Sequence, residues 1–340
     1  MMRPLTLAAI RMDAAPASVP SRLARAESLL VRAAEQGAQI AVLPELFNTG
    51  YIYSPQNYLL AETMGGETVN WMKRVAQQYG LYVAGTFLLR ESDGIYNTML
   101  LIAPHGRAWR YDKSYPWAWE RAYFRPRKNP IHVAETNFGK IGMLICWDVA
   151  HANLWRQYAG KIDLMISSSC PPLVHEFAFQ LPGNRVVRNG ELGALFQSAY
   201  RNAEKTFGEL FLNQARWLGV PSVNTTGAGT FQSHLPRPTL SLTSLFAFRP
   251  DLWNCIPQAK EVLVSAGYFD ETFIADASGN VTAKTKVNGD DLAVAAVSLT
   301  DTAPKPDRAQ PAFGLSALTY LLDTYSNAVL RSYYNSNWKR

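Results

Sequence analysis

Cysteine is scarce in this 340-residue chain: Cys146, Cys170 and Cys255 are its only thiols, an odd number without paired spacing. That pattern argues against a disulfide framework and for a reducing, cytoplasmic compartment. No C-x-x-C pair and no H-x-x-x-H occurs, so nothing calls for a structural zinc. Uncharged apolar runs fall short of bilayer-spanning length, and no membrane partner is expected. The opening MMRPLTLAAIRMDAAP turns polar after Ile10, unlike a secretory signal, and reads as a first strand. The net charge of +6 is scattered. Its densest spot, RAYFRPRKNP at residues 121–130, is neither a basic stripe nor a known module, so nucleic acid is not an expected partner. G-x-S-x-G is missing, which removes the main signal of a serine α/β-hydrolase. GAG, from Gly227 to Gly229, is too short to cradle a phosphate. No internal repeat or low-complexity tract is present.

What is present is a chain that can bury a large core, with 48% hydrophobic and 18% charged residues. SRLARAESLLVRAAEQG sets Leu23, Ala26, Leu30 and Ala33 at helical spacing, and Gly37 stops the run. QIAVLPEL follows as a short apolar strand of the kind buried on both faces. The unit then recurs. TVNWMKRVAQQYG places Val69, Met72, Val75 and Ala76 on one helical face before Gly80. LYVAGTFLL, IYNTMLLIAP, RAWRYDKSYP, KIGMLICWD and KIDLMISSS read as strands. Alternating helices and buried strands predict a layered α/β fold. Residues 171–217 read mostly as helix, most clearly over 191–219. Residues 1–300 read as one domain, and 301–340 as a proline-rich tether followed by a helix. The apolar face of that helix, with Leu315, Leu318, Leu321, Leu322 and Tyr325, covers either its own chain or a subunit interface.

Three polar residues end buried strands. Glu45 follows IAVLP, Lys113 follows AWRYD and Cys146 follows IGMLI. Alone, each has an ordinary reading: a small buried thiol, or a charge at an exposed strand end. Together with Glu120 they supply the groups a cysteine hydrolase needs. The thiol requires a base, and a buried carboxylate with a raised pKa can serve. A lysine can stabilise a developing oxyanion, helped by the backbone N–H of Trp147 if a helix starts there. A Cys146–His151 dyad is the weaker alternative, because five residues across a strand-to-helix turn point the two side chains apart.

At these residues the chain resembles the carbon–nitrogen hydrolase, or nitrilase, superfamily. LPELFNTGY carries the P-E motif, YDKSYPWAWERAYF the Y-x-K motif with a second glutamate behind it, and GMLICWD the cysteine-aromatic-acid motif. Their order and spacing hold over about the first 170 residues. The resemblance implies a four-layer αββα sandwich, a homodimer or larger homo-oligomer, and no metal or organic cofactor. It casts Cys146 as nucleophile, Glu45 as general base, Lys113 as oxyanion stabiliser and Glu120 as an auxiliary carboxylate. FIADASGNVTAKT resembles the family's closing hairpin. The chain also departs from the pattern. The cysteine motif continues VAHAN, Ala150 stands where relatives that grip a substrate carboxylate carry arginine, and Arg127 follows Pro126 where glycine is usual. Residues 171–216 and 231–262 look like enlargements.

The expected reaction is hydrolysis of a small-molecule carboxamide through a cysteine thioester. Asp148 after Trp147 favours amide over nitrile, since true nitrilases tend to carry glutamate there. Nitrile hydrolysis by the same residues is the alternative, and a catalytically silent binding protein is a third reading. Tyr51, Trp117, Trp119, Asp148 and His151 are the candidate substrate contacts, with Tyr53, Tyr115 and Tyr123 as further aromatics that either line a pocket or pack the core.

Overall fold

The computed structural model describes residues 3–127, 131–199, 203–247, 249–312 and 314–339. Residues 128–130 of the basic stretch and 200–202 of the region read as helical lie outside them. In the first strand, Arg3–Asp13, Leu5, Leu7 and Ala9 enter one core cluster while Ala8, Ile10 and Met12 enter another. Successive strand side chains leave on opposite faces. Both faces are covered here, which is why the run is apolar throughout.

This strand sits in a seven-stranded sheet. The order is Gly227–Ala228, Arg3–Asp13, Ile40–Val42, Tyr82–Glu91, Gly94–Ile102 and Ala108–Asp112, with Asp291–Leu299 pairing antiparallel to the first strand. A six-stranded sheet follows the order Val281–Lys284, Phe273–Ala275, Ser222–Thr225, Leu164–Ser168, Gly139–Ile145 and Val133–Thr136. The inner faces share one cluster, in which Leu7, Ile40 and Val42 join Ile141, Met143 and Ile145. Helices Val19–Glu35 and Glu67–Tyr79 close the outer face of the first sheet with the apolar stripes read from the sequence. Gly37 and Gly80 end them at φ 78° and 65°, where a side chain would be strained. Helices Ala152–Tyr158 and Phe211–Leu218 cover the second sheet, with Trp155 against Phe211 at 5.2 Å and Phe211 against Phe273 at 5.8 Å. The layers are therefore helix, sheet, sheet, helix. The closing hairpin is present as Phe273–Ala275 and Val281–Lys284.

One reading of the sequence is corrected. Much of residues 171–217 is not helix, because Ala178–Gln180 and Val186–Arg188 join Leu263–Gly267 and Thr230–His234 in a third, antiparallel sheet of four strands. Phe177, Phe179 and Leu181 are buried at alternate positions, the period of a strand, and Pro171, Pro172 and Pro182 break any helix there. The part read most clearly as helix, 191–219, is largely helical: Ala194–Ala199, then Ala203–Lys205 and a π-helical turn Thr206–Leu210 that runs into Phe211–Leu218.

The tether is pinned along the second sheet's helices. Trp217 Nε1 donates to the Arg308 carbonyl at 2.9 Å, and Gln310 Nε2 to the Ala152 carbonyl at 2.9 Å. The terminal helix, Ala317–Asn337, packs on its own chain, where the Tyr334 hydroxyl accepts from Ile95 N–H at 2.8 Å. Among the described residues no helix is long and apolar enough to cross a membrane.

Candidate active site

Three chain turns converge between the ends of the two main sheets. Ile40–Val42 runs through Pro44 into Glu45, whose N–H donates to the Ser169 carbonyl of the second sheet at 3.2 Å. The next residue, Leu46, turns at φ 51° and is held by Thr86 Oγ1 at 2.7 Å. Lys113 leaves the strand Ala108–Asp112 with its N–H on the Asn97 carbonyl at 2.9 Å. Cys146 ends Gly139–Ile145 at φ 47° and opens a 3₁₀ turn, Cys146–Ala150. A residue with a β-carbon in the left-handed region stores on the order of 1–3 kcal/mol of strain, a cost typical of functional turns. Trp147 is the second residue of that turn, at the end where N–H groups find no acceptor within the helix.

The side chains form one buried network. Lys113 Nζ lies 2.8 Å from Glu45 Oε1 and 2.7 Å from Glu120 Oε2. Donor atoms of Glu45, Glu120 and Cys146 all lie within 4.8 Å of one another. Glu45 Oε2 accepts from the Cys170 N–H at 3.0 Å, and Glu120 accepts from the Tyr51 hydroxyl at 2.5 Å and the Trp117 N–H at 2.7 Å. Burial pushes the Glu45 carboxyl above its usual range, opposed by the Lys113 charge and reinforced by Glu120. Burial, then Glu45, also pushes the Cys146 thiol well up, against the pull of Lys113. The thiol is therefore protonated at rest, and any nucleophilic role for it would require a base. Burial alone would lower Lys113, but the neighbouring Glu120 and Glu45 carboxylates override it and hold the ammonium charged. The three acidic donors could ligate a cation, and the Lys113 ammonium sits between the two carboxylates as that cation.

Cys146 opens on a narrow cavity of about 30 Å³, lined by Tyr51, Trp117, Trp147, Pro172, Phe207 and Phe269 among others. Three other candidate contacts lie elsewhere. Trp119 stands one layer back, its ring against Tyr53, Trp117 and Phe177. Asp148 is fully buried beneath the cysteine turn. It accepts from the N–H groups of Ser114 at 3.1 Å and Tyr115 at 2.7 Å and from the Tyr111 hydroxyl at 2.9 Å. Burial pushes its carboxyl up to about 7 against those hydrogen bonds and the Lys113 charge. His151 turns away from the thiol, with Nδ1 2.9 Å from the Trp147 carbonyl and its ring stacked on Tyr115 at 3.5 Å. Burial lowers it to about 4, so it is neutral. Tyr53 and Tyr123 stack on each other at 6.5 Å within the core.

Sequence reasoning missed Asn97. Its Nδ2 donates to Glu45 Oε1 at 2.7 Å, so that oxygen is shared between Asn97 and Lys113 while Oε2 takes the Cys170 N–H. A fully buried asparagine inside the apolar strand GIYNTMLLI was the available signal, since such a group requires a partner.

A buried carboxylate pair, a fixed cation and a strained thiol thus meet at one small hollow. Residues 6–307 match the carbon–nitrogen hydrolase family, and the chain belongs to it. A Pyrococcus abyssi protein named nitrilase is 33% identical over 127 residues, covering 36% of this chain and 48% of its own. The Xenopus laevis omega-amidase NIT2-A is 31% identical over 171 residues, 47% of this chain and 58% of its own. The N-carbamoylputrescine amidase of Solanum tuberosum is 30% identical over 155 residues, 43% and 51%. The chain thus spans about half the length of the curated relatives it matches. The solved amidase of Nesterenkonia sp. superposes with a TM-score of 0.62 over 88% of this chain and 91% of its own, at 17% identity, a likeness of fold. A mutant of that amidase is solved in complex with butyramide.

Proposed function

We propose that this protein hydrolyses small, uncharged carboxamides to a carboxylic acid and ammonia through a Cys146 thioester. The observation that carries this reading is one buried cluster in which Lys113 bonds both Glu45 and Glu120, with carboxylate oxygens of both and the Cys146 sulfur within 4.8 Å of one another. Glu45 takes the thiol proton as sulfur attacks the amide carbon. Charge developing on the amide oxygen is met by Lys113 and the Trp147 N–H. The proton on Glu45 passes to the leaving nitrogen, the carbon–nitrogen bond breaks, and ammonia departs. Water then attacks the thioester with Glu45 again as base, and the acid leaves as the thiol reforms. Glu120 anchors Lys113 through its 2.7 Å contact.

The acyl group is read from the lining. The hollow is narrow, and its aromatic, proline and aliphatic walls offer no counter-ion among the described residues. This supports short aliphatic amides over the charged substrates implied by the relatives' names. Ammonia release should be strongest with propionamide and butyramide and weak with benzamide, succinamate and N-carbamoylputrescine, and Cys146→Ala should abolish it. A second reading, nitrile hydrolysis, has the similarity to the Pyrococcus nitrilase behind it. Faster acid formation from propionitrile than from propionamide would establish it instead. A homo-oligomer is also part of this reading. Leu321 and Tyr325, 63% and 52% exposed on the terminal helix, offer an uncovered apolar face, and sedimentation velocity tests it. The cytoplasmic assignment is supported by three unpaired thiols.

A further inference from the structure

We propose that the C-terminal helix holds the active site in register, with Tyr320 and Asp323 as positioning residues for the Cys146 and Glu120 turns. The proposal rests on the catalytic reading of those two turns. Residues three apart on a helix share a face, and this pair meets two separate chain turns. Asp323 accepts from both Arg121 guanidinium nitrogens, at 2.6 and 2.7 Å, and from the Ala118 N–H at 3.3 Å. The ion pair is buried, 8% and 10% exposed. A forked arginine–carboxylate pair in that setting specifies geometry.

The geometry matters because of what lies between its two anchors. The turn Ala118–Ala122 carries Glu120, and Ala118 sits at φ 33°, a backbone state that a residue with a β-carbon does not favour by itself. Asp323 fastens the turn on both sides of Glu120. Tyr320 treats the other turn similarly. Its hydroxyl donates to the Ala150 carbonyl at 2.8 Å, the last residue of Cys146–Ala150, and its ring lies edge-on to His151 at 5.7 Å. Cys146 at φ 47° is the other strained member. One helical face thus ties together two strained turns that belong to different parts of the chain. The helix lies beyond residue 307, where the family match ends.

The test uses full-length Asp323→Asn and Tyr320→Phe proteins beside wild type, with two readouts. Hydrogen exchange is followed over residues 117–123 and 146–152. Turnover of butyramide is normalised to Cys146 titrated with iodoacetamide, so that misfolded molecules do not count. Asp323→Asn should speed exchange at 117–123, and Tyr320→Phe at 146–152. Each should lower kcat per titrated site by roughly tenfold or more with KM within about threefold, the mark of displaced groups rather than lost binding. Unchanged exchange at the matching turn, or kcat per site within about twofold of wild type, overturns the proposal. If wild type releases no ammonia from any amide or nitrile, the catalytic reading fails, while the exchange result still decides whether the helix holds the turns.

Discussion

Replacing Lys113 by methionine removes a charge while keeping an unbranched chain of similar length. In wild type the ammonium separates Glu45 and Glu120, both buried, with carboxylate oxygens within 4.8 Å of each other. Without it the two negative charges face each other. Coulomb's law at an effective dielectric of 20 and 4.8 Å gives about 3.5 kcal/mol of repulsion. That repulsion makes the folded pair hold one proton to higher pH, on top of the burial that already raises Glu45. The folded pair then holds a proton that the unfolded chain has released. A carboxyl with a raised folded pKa contributes stability that is full below its unfolded value and lost as pH rises through the folded one. Lys113→Met should therefore be more stable near pH 5 than near pH 8, by about 3 kcal/mol, in urea unfolding followed by tryptophan fluorescence. Butyramide turnover should fall by about 100-fold or more, because a preorganised oxyanion donor is gone. A variant whose unfolding free energy is flat from pH 5 to pH 8 would refute the claim that these carboxylates share one cation.

Three further outcomes follow from the same network. Glu45→Gln should cut turnover by roughly 10²–10⁴-fold, since the raised thiol loses its base; in wild type, kcat/KM should fall on the acid side with a midpoint above the ordinary glutamate range, because burial raises Glu45 and only its carboxylate accepts the proton. Asn97→Leu should lower kcat with little change in KM, because Glu45 loses its 2.7 Å donor; an unchanged kcat in Asn97→Leu would argue that the hydrogen bond is irrelevant. His151→Phe tests the folded-state value of about 4. A histidine depressed from its ordinary 6.5 contributes stability present above that value and lost as pH falls toward 4, up to about 3 kcal/mol. The variant should lose less stability than wild type between pH 6.5 and pH 4 in acid-denaturation curves.

The sequence alone was enough for the elements whose periodicity is local. Leu23, Ala26, Leu30 and Ala33 mark a helix because 3.6 residues per turn aligns them, and Gly37 stops it because only glycine takes its φ of 78° freely. It also supplied the chemical groups, since Glu45, Lys113 and Cys146 each end an apolar run where strands reach the site. The enlarged middle was misread because its single turns and three-residue strands are too short for a period to show, and only pairing between Ala178–Gln180 and Leu263–Gly267 makes the former a strand.

Tertiary structure decided the rest, for one physical reason: which side chains meet depends on register and backbone turns that no local pattern encodes. Asp148 and His151 lie within five residues of Cys146, yet one sinks beneath the turn and the other stacks on Tyr115. Asn97 is far from Glu45 in the chain but donates to it, because the sheet order sets Gly94–Ile102 only one strand away from Ile40–Val42. The terminal helix could have covered its own chain or another, and Arg121 meeting Asp323 across some two hundred residues is a fact of folding, not of sequence spacing.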